Sequence, residues 1–175
     1  MAERWSIEHY KRLDGSIPGF EFLLEINDAV SGRLNATLES VRDATPYRWK
    51  SPVQFVHMKD QSNLAGVDMS DFHEVRDEHD GMLYRLFCIV ERDPPGPGRP
   101  IITVVDGRCK PDDTGFSNAV YADVRALGKA YLKTNPRSVA TFHDALEILK
   151  KQLAAAAAPR PRKAGKNKKK GKPAR

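Results

Sequence analysis

Asp80-Gly81 stands between two runs rich in β-favouring residues, Phe72 to Glu78 and Met82 to Glu91. An Asp-Gly pair in that setting is the strongest short-range sign of a two-residue β-hairpin, because the tight turn requires positive φ at both central positions. The second arm, Leu83-Tyr84-Arg85-Leu86-Phe87-Cys88-Ile89-Val90, is apolar at positions that point to both faces, so it is expected to be a central strand. Every other element must be arranged around this hairpin.

Upstream, Trp5 to Tyr10 reads as a first strand ended by the turn-like Asp14-Gly15-Ser16. Pro18 suits the first position of a helix, and apolar residues from Phe20 to Val41 recur at three- and four-residue spacing. The polar Asn27-Asp28 step divides that stretch into two helices. Pro52 to Lys59 alternates as a second strand, and Gln61 to Ser70 is a loop. The Pro- and Gly-rich stretch Asp93 to Pro100 leads into a buried strand, Ile101 to Val105. From Ser117 the apolar stripe Val120, Tyr121, Val124, Leu127, Tyr131 and Leu132 predicts a helix that Asn135-Pro136 stops, and Val139 to about Ala158 predicts a last amphipathic helix. Helices grouped ahead of consecutive strands indicate the α+β class: a small antiparallel sheet with helices packed on one face. The expected organisation is a domain over residues 1–135, an additional helix over 136–158 and a disordered Lys/Arg-rich tail over 159–175.

The charge is unevenly spread. Of 29 Lys and Arg, eleven lie from Lys150 onward, where there is no acid, so eighteen face all 23 Asp and Glu in the rest of the chain. The formal charge of +6 therefore belongs to the tail. The body is acidic, and a polyanion could bind the body only at a local basic patch. The first ten residues mix charge throughout and no apolar run approaches bilayer length, which predicts a cytoplasmic protein with neither signal peptide nor membrane span. Cys88 and Cys109 have no paired spacing and read as buried thiols.

Phe72-His73-Glu74-Val75-Arg76, followed after the turn by Tyr84-Arg85-Leu86-Phe87, resembles the hairpin of the RelE/ParE toxin superfamily, in particular its phage-derived branch, which carries an LYELR…YRVFY-like pattern there. By order of elements the resemblance covers roughly residues 4–134. It implies a small twisted antiparallel sheet with an N-terminal helical hairpin and C-terminal helices, acting as the toxin of a type II toxin–antitoxin pair with a cognate antitoxin as partner. RelE-like members cut mRNA on the ribosome without a metal or other cofactor; ParE-like members inhibit DNA gyrase. The family's paired lysines and Thr-Pro after the last strand are replaced by Cys109-Lys110-Pro111-Asp112-Asp113-Thr114, whose acids oppose phosphate.

Metal-independent cleavage, in which the RNA 2′-OH attacks the adjacent phosphate, needs cations around a transition state of increased negative charge and a group that carries protons. On the resemblance, Arg76 and Arg85 hold phosphate; from their places at strand ends, His57 is the candidate proton carrier and Lys59, Arg108 and Lys110 add nucleic-acid-binding charge. The plainer alternative for Arg76 and Arg85 is an ion pair with Glu74 or Asp77 across the hairpin, and for His57 an ordinary surface histidine. His73 and His79 lack the spacing of a metal motif, so no metal site is assigned. The leading expectation is a ribosome-dependent mRNA endonuclease. Its alternatives are a non-enzymatic gyrase inhibitor, which suits the acidic body, and a non-toxic phage or mobile-element binding module.

Overall fold

The computed structural model describes residues 4–49, 54–58, 66–96 and 98–157. Lys59 and the basic tail from Pro159 lie outside them. The described residues form strands β1 (Ser6–Tyr10), β2 (Phe55–His57), β3 (Phe72–His79), β4 (Met82–Glu91), β5 (Ile101–Pro111) and β6 (Val139–Ala140), and helices α1 (Pro18–Glu25), α2 (Asp28–Asp43), α3 (Asn118–Leu132) and α4 (Phe142–Ala157). One six-stranded sheet runs in the order β2-β3-β4-β5-β1-β6. This is a mixed α+β fold with a mostly antiparallel, open sheet.

The hairpin forms as its turn chemistry demands: Asp80 and Gly81 have φ of 49° and 69°, and β3 and β4 pair from His79 opposite Met82 to Phe72 opposite Ile89. The two N-terminal helices separate where the polar step falls. Asn27 caps α2 by accepting the Ala29 N–H at 2.8 Å, which satisfies one of the donors a helix start leaves free.

Four features differ from the sequence reading. β1 lies parallel to β5, with Ser6 opposite Ile101, so the sheet is not wholly antiparallel. Helices cover both faces, not one: α1 and α2 pack on one side through Leu23, Leu34 and Leu38, and α3 packs on the other through Val124 and Tyr131. Val139 does not start a helix; Val139–Ala140 pairs with β1 before α4 begins. Of the two thiols, Cys88 is buried but Cys109 is exposed.

Close approach fixes both layers. A Cβ on Gly107 of β5 would lie 2.0 Å from the Phe22 ring of α1, and one on Gly128 of α3 would lie 2.2 Å from Phe72 of β3. Larger residues at either place would hold the helix away from the strands and open the core to water.

A row of arginines on the half-covered face

Residues directly opposite in paired strands project to the same face. Arg76 of β3 is opposite Arg85 of β4, and Arg85 is opposite Arg108 of β5. The three guanidinium groups thus begin from one line across three strands. The face is that of α3, because Phe72, four residues from Arg76 on β3, and Phe87, two residues from Arg85 on β4, share its parity and both pack in the α3 core.

Arg108 joins the row through a β-bulge. Cys88 is opposite Val104 but Phe87 is opposite Asp106, leaving Val105 as an extra residue. Before the bulge Thr103 faces α3 and meets the Tyr131 hydroxyl at 2.8 Å. After it the parity is reversed, so Asp106 and Arg108 face α3 while Gly107 faces Phe22. A bulge that inserts one residue re-aims every side chain beyond it.

Helix α3 covers only part of this face, and the charges sort by depth. The neighbouring row holds Glu74, Phe87 and Asp106, whose two carboxylates are buried. Arg76 donates from Nε to Glu74 Oε1 at 2.6 Å. Arg85 places Nε 3.7 Å from Glu74 Oε2 and donates to the Tyr84 carbonyl at 2.9 Å. Arg108 donates from Nε to Asp106 Oδ2 at 2.8 Å. Side-chain exposure is 37% for Arg76 and Arg108 and 12% for Arg85, so the outer two arginines can meet a ligand directly and Arg85 lies beneath them. Burial lowers the pKa of Arg85, opposed by Glu74 and reinforced by Arg76. Burial raises the pKa of Asp106, opposed by Arg108 and reinforced by Asp123. Lys110 stands over the Phe116 ring, 5.3 Å from its centre, and Phe116, Tyr121 and Phe87 meet edge to face.

Of the residues singled out in the sequence, Arg76, Arg85, Arg108 and Lys110 are brought to one face. His57 is not. It is opposite His73 on the other side of the sheet, stacked on that ring at 4.6 Å and hydrogen-bonded to the Ser70 carbonyl at 2.7 Å. No proton can pass between His57 and the arginines through a closed sheet, so it is withdrawn from the site. Lys59 lies outside the described residues. Asp106, Phe116 and Tyr121 were not singled out as site residues. Phe116 and Tyr121 belong to segments read only for helix and turn pattern, and the face of Asp106 depends on the bulge.

The face carries both signs of charge. Arg76, Arg85, Arg108 and Lys110 share it with Glu74 and Asp106, with Glu78 in the outermost row opposite Leu83 and with Asp123 close enough to act on Asp106, so cations gather at the surface above inward carboxylates. Among the described residues no group of His, Cys, Asp and Glu is arranged to hold a metal, and no helix is long and apolar enough to cross a membrane. Fold and site together define an α+β protein with an arginine-rich sheet face beside an aromatic cluster. The chain matches no protein-family model, no curated protein and no solved structure.

Proposed function

We propose that the chain is a RelE-like toxin of a type II toxin–antitoxin pair, acting as a metal-independent endonuclease on mRNA at the ribosome, with a small cognate antitoxin as its partner. The observation that carries this reading is the in-register row of Arg76, Arg85 and Arg108 on a sheet face left partly open by α3. Guanidinium groups fork onto phosphate oxygens, and a fixed row of them matches a scissile phosphate whose negative charge grows in the transition state. The ring of Phe116 supplies a surface for a base. With His57 on the opposite face and Asp106 buried beneath Arg108, the 2′-OH proton passes to water held at the arginine row. The 2′-oxygen then bonds to phosphorus as the bond to the 5′-oxygen breaks, giving a cyclic phosphate and, once that oxygen takes a proton from water, a 5′-hydroxyl. The test is purified protein with translating ribosomes. New mRNA 5′ ends should appear and should vanish with Arg85→Ala; intact mRNA in the presence of wild-type protein refutes the nuclease reading.

One observation favours a second reading. Glu74 already engages Arg76 and stands beside Arg85, as a structural ion-pair cluster would. That arrangement suits a non-enzymatic inhibitor that holds DNA gyrase through its surface. Trapped gyrase–DNA complexes in a supercoiling assay, with mRNA untouched, would select it.

A further inference from the structure

A cavity of about 740 Å³ opens on the side of the sheet opposite the arginine row, where α2 passes β1 and α4 begins. Trp5, Ile7, Leu38 and Phe142 form its apolar walls, with His9 beside them and Arg4 at the rim. The volume lies in the range of sites that bury an organic ligand or a large side chain. Phe142 is 51% exposed, so the wall it forms is not sealed by other side chains.

The cavity adjoins an incomplete sheet edge. Ser6 donates its N–H to Pro100 beside β5 at 2.9 Å, while Lys11 donates to Ser138 on the other side at 3.0 Å. Alternation along β1 therefore turns the peptide groups of Ile7 and His9 outward, away from β5. β6 meets His9 at Ala140 and goes no further, because the chain turns into α4 at Phe142. Among the described residues the Ile7 peptide group consequently has no strand beside it. An edge of this kind is a template for an added strand.

Two further observations limit what fits. Burial keeps His9 uncharged, with its pKa lowered to about 4, and its Nδ1 has no hydrogen-bond partner among the described residues; His9 thus adds no charge to the wall near neutrality. At the rim, Arg99 is held by Glu8 at 2.8 Å and Arg42 by Glu39. Among the described residues Arg4 meets Asp43, at 3.8 Å, with its side chain 74% exposed. Among the described residues the rim therefore offers Arg4 as a loosely held cation beside the apolar walls.

We propose that this groove binds an extended peptide segment of a partner protein, which continues the sheet beside Ile7 where β6 stops, sets an apolar side chain in the cavity and presents a neighbouring carboxylate to Arg4. Main-chain hydrogen bonds supply the docking and the side-chain pocket supplies the selectivity, as in other strand-addition modes. The surface is independent of the arginine row, so peptide binding and RNA cleavage can stand or fall separately.

A selection of randomised ten-residue displayed peptides on the full chain tests this. Enriched sequences should carry an apolar residue next to Asp or Glu. Synthetic copies followed by fluorescence anisotropy should lose about tenfold in affinity when that apolar residue becomes Ala, and about as much when the amide facing Ile7 is N-methylated. Asn35→Trp, at the cavity wall, should reduce binding similarly without changing the melting temperature. Arg4→Ala should weaken acidic peptides and flatten their salt dependence. The proposal is overturned if no sequence is enriched, if Asn35→Trp binds as well as wild type, as it would for acidic peptides held by the Lys-rich tail, or if N-methylation has no effect, which would mark the cavity as a side-chain or small-molecule pocket without strand addition.

Discussion

The two faces of the central sheet are made from the same strands and solve opposite problems. On the α1/α2 face, Val75, Leu86, Val104 and Ile102 meet Leu34, Leu38 and Val41 in a continuous apolar layer. On the α3 face the apolar layer stops midway. Phe87 is flanked in its own row by two buried carboxylates, and the next row holds three arginines. A helix that covers half a sheet leaves a boundary where dielectric changes over a few ångströms, and charge at such a boundary must be paired inward or used outward. Here Glu74 and Asp106 take the inner positions and the outer guanidinium groups reach the surface.

That contrast can be broken first by charge. Glu74→Ala removes the carboxylate beside Arg76 and Arg85 and should cost about 3–5 kcal/mol, read from urea unfolding, because it leaves a nearly buried guanidinium uncompensated. The double variant Glu74→Leu with Arg85→Met should recover most of the loss. If the single variant is as stable as wild type, charge pairing does not hold the α3 face together.

The opposite face has its own ionisable weak point. His9 has a folded pKa of about 4 against 6.5 for a free histidine, so the unfolded chain binds the proton more readily. Its contribution to stability is present above pH 6.5 and is lost as pH falls toward 4, a change of about 3 kcal/mol over that window. Denaturant unfolding of His9→Phe compared with wild type at pH 7 and pH 4.5 should show that part of the acid sensitivity removed.

Packing gives a smaller effect. Gly107→Ala forces the Phe22 ring to move and should destabilise by about 1–3 kcal/mol in the same unfolding assay. The smallest effect expected is that of His57→Ala, which should leave mRNA cleavage unchanged on the nuclease reading, whereas Arg85→Ala abolishes it. Equal loss in both would mean that the two faces communicate.

Much of the fold was legible because its signals are local. The Asp80-Gly81 turn and the Asn27 cap are written in neighbouring residues, and both formed where their chemistry places them. The site was legible only in part, because membership of a face depends on long-range register. Arg76 and Arg85 lie on arms of one tight hairpin, so their pairing follows from the turn. Arg108 and Lys110 share that face only because Val105 bulges from β5, and no residue type at that position announces it. His57 failed for the same reason, since a strand end can be reached from either side. The parallel pairing of β1 with β5 was equally hidden: short apolar strands carry no mark of their neighbour or direction.

The placement of β1 also orders events during synthesis. β1 is wedged between two strands made well after it, touching Ile101 to Val104 on one flank and Val139 to Ala140 on the other. A chain emerging from a ribosome can build the β3–β4 hairpin and the α1–α2 pair early, but β1 must wait for β5 and β6 before it pairs. Contacts so distant in sequence are slow to form. The nascent protein therefore carries an unsealed seam, and acquires its completed sheet only at the end.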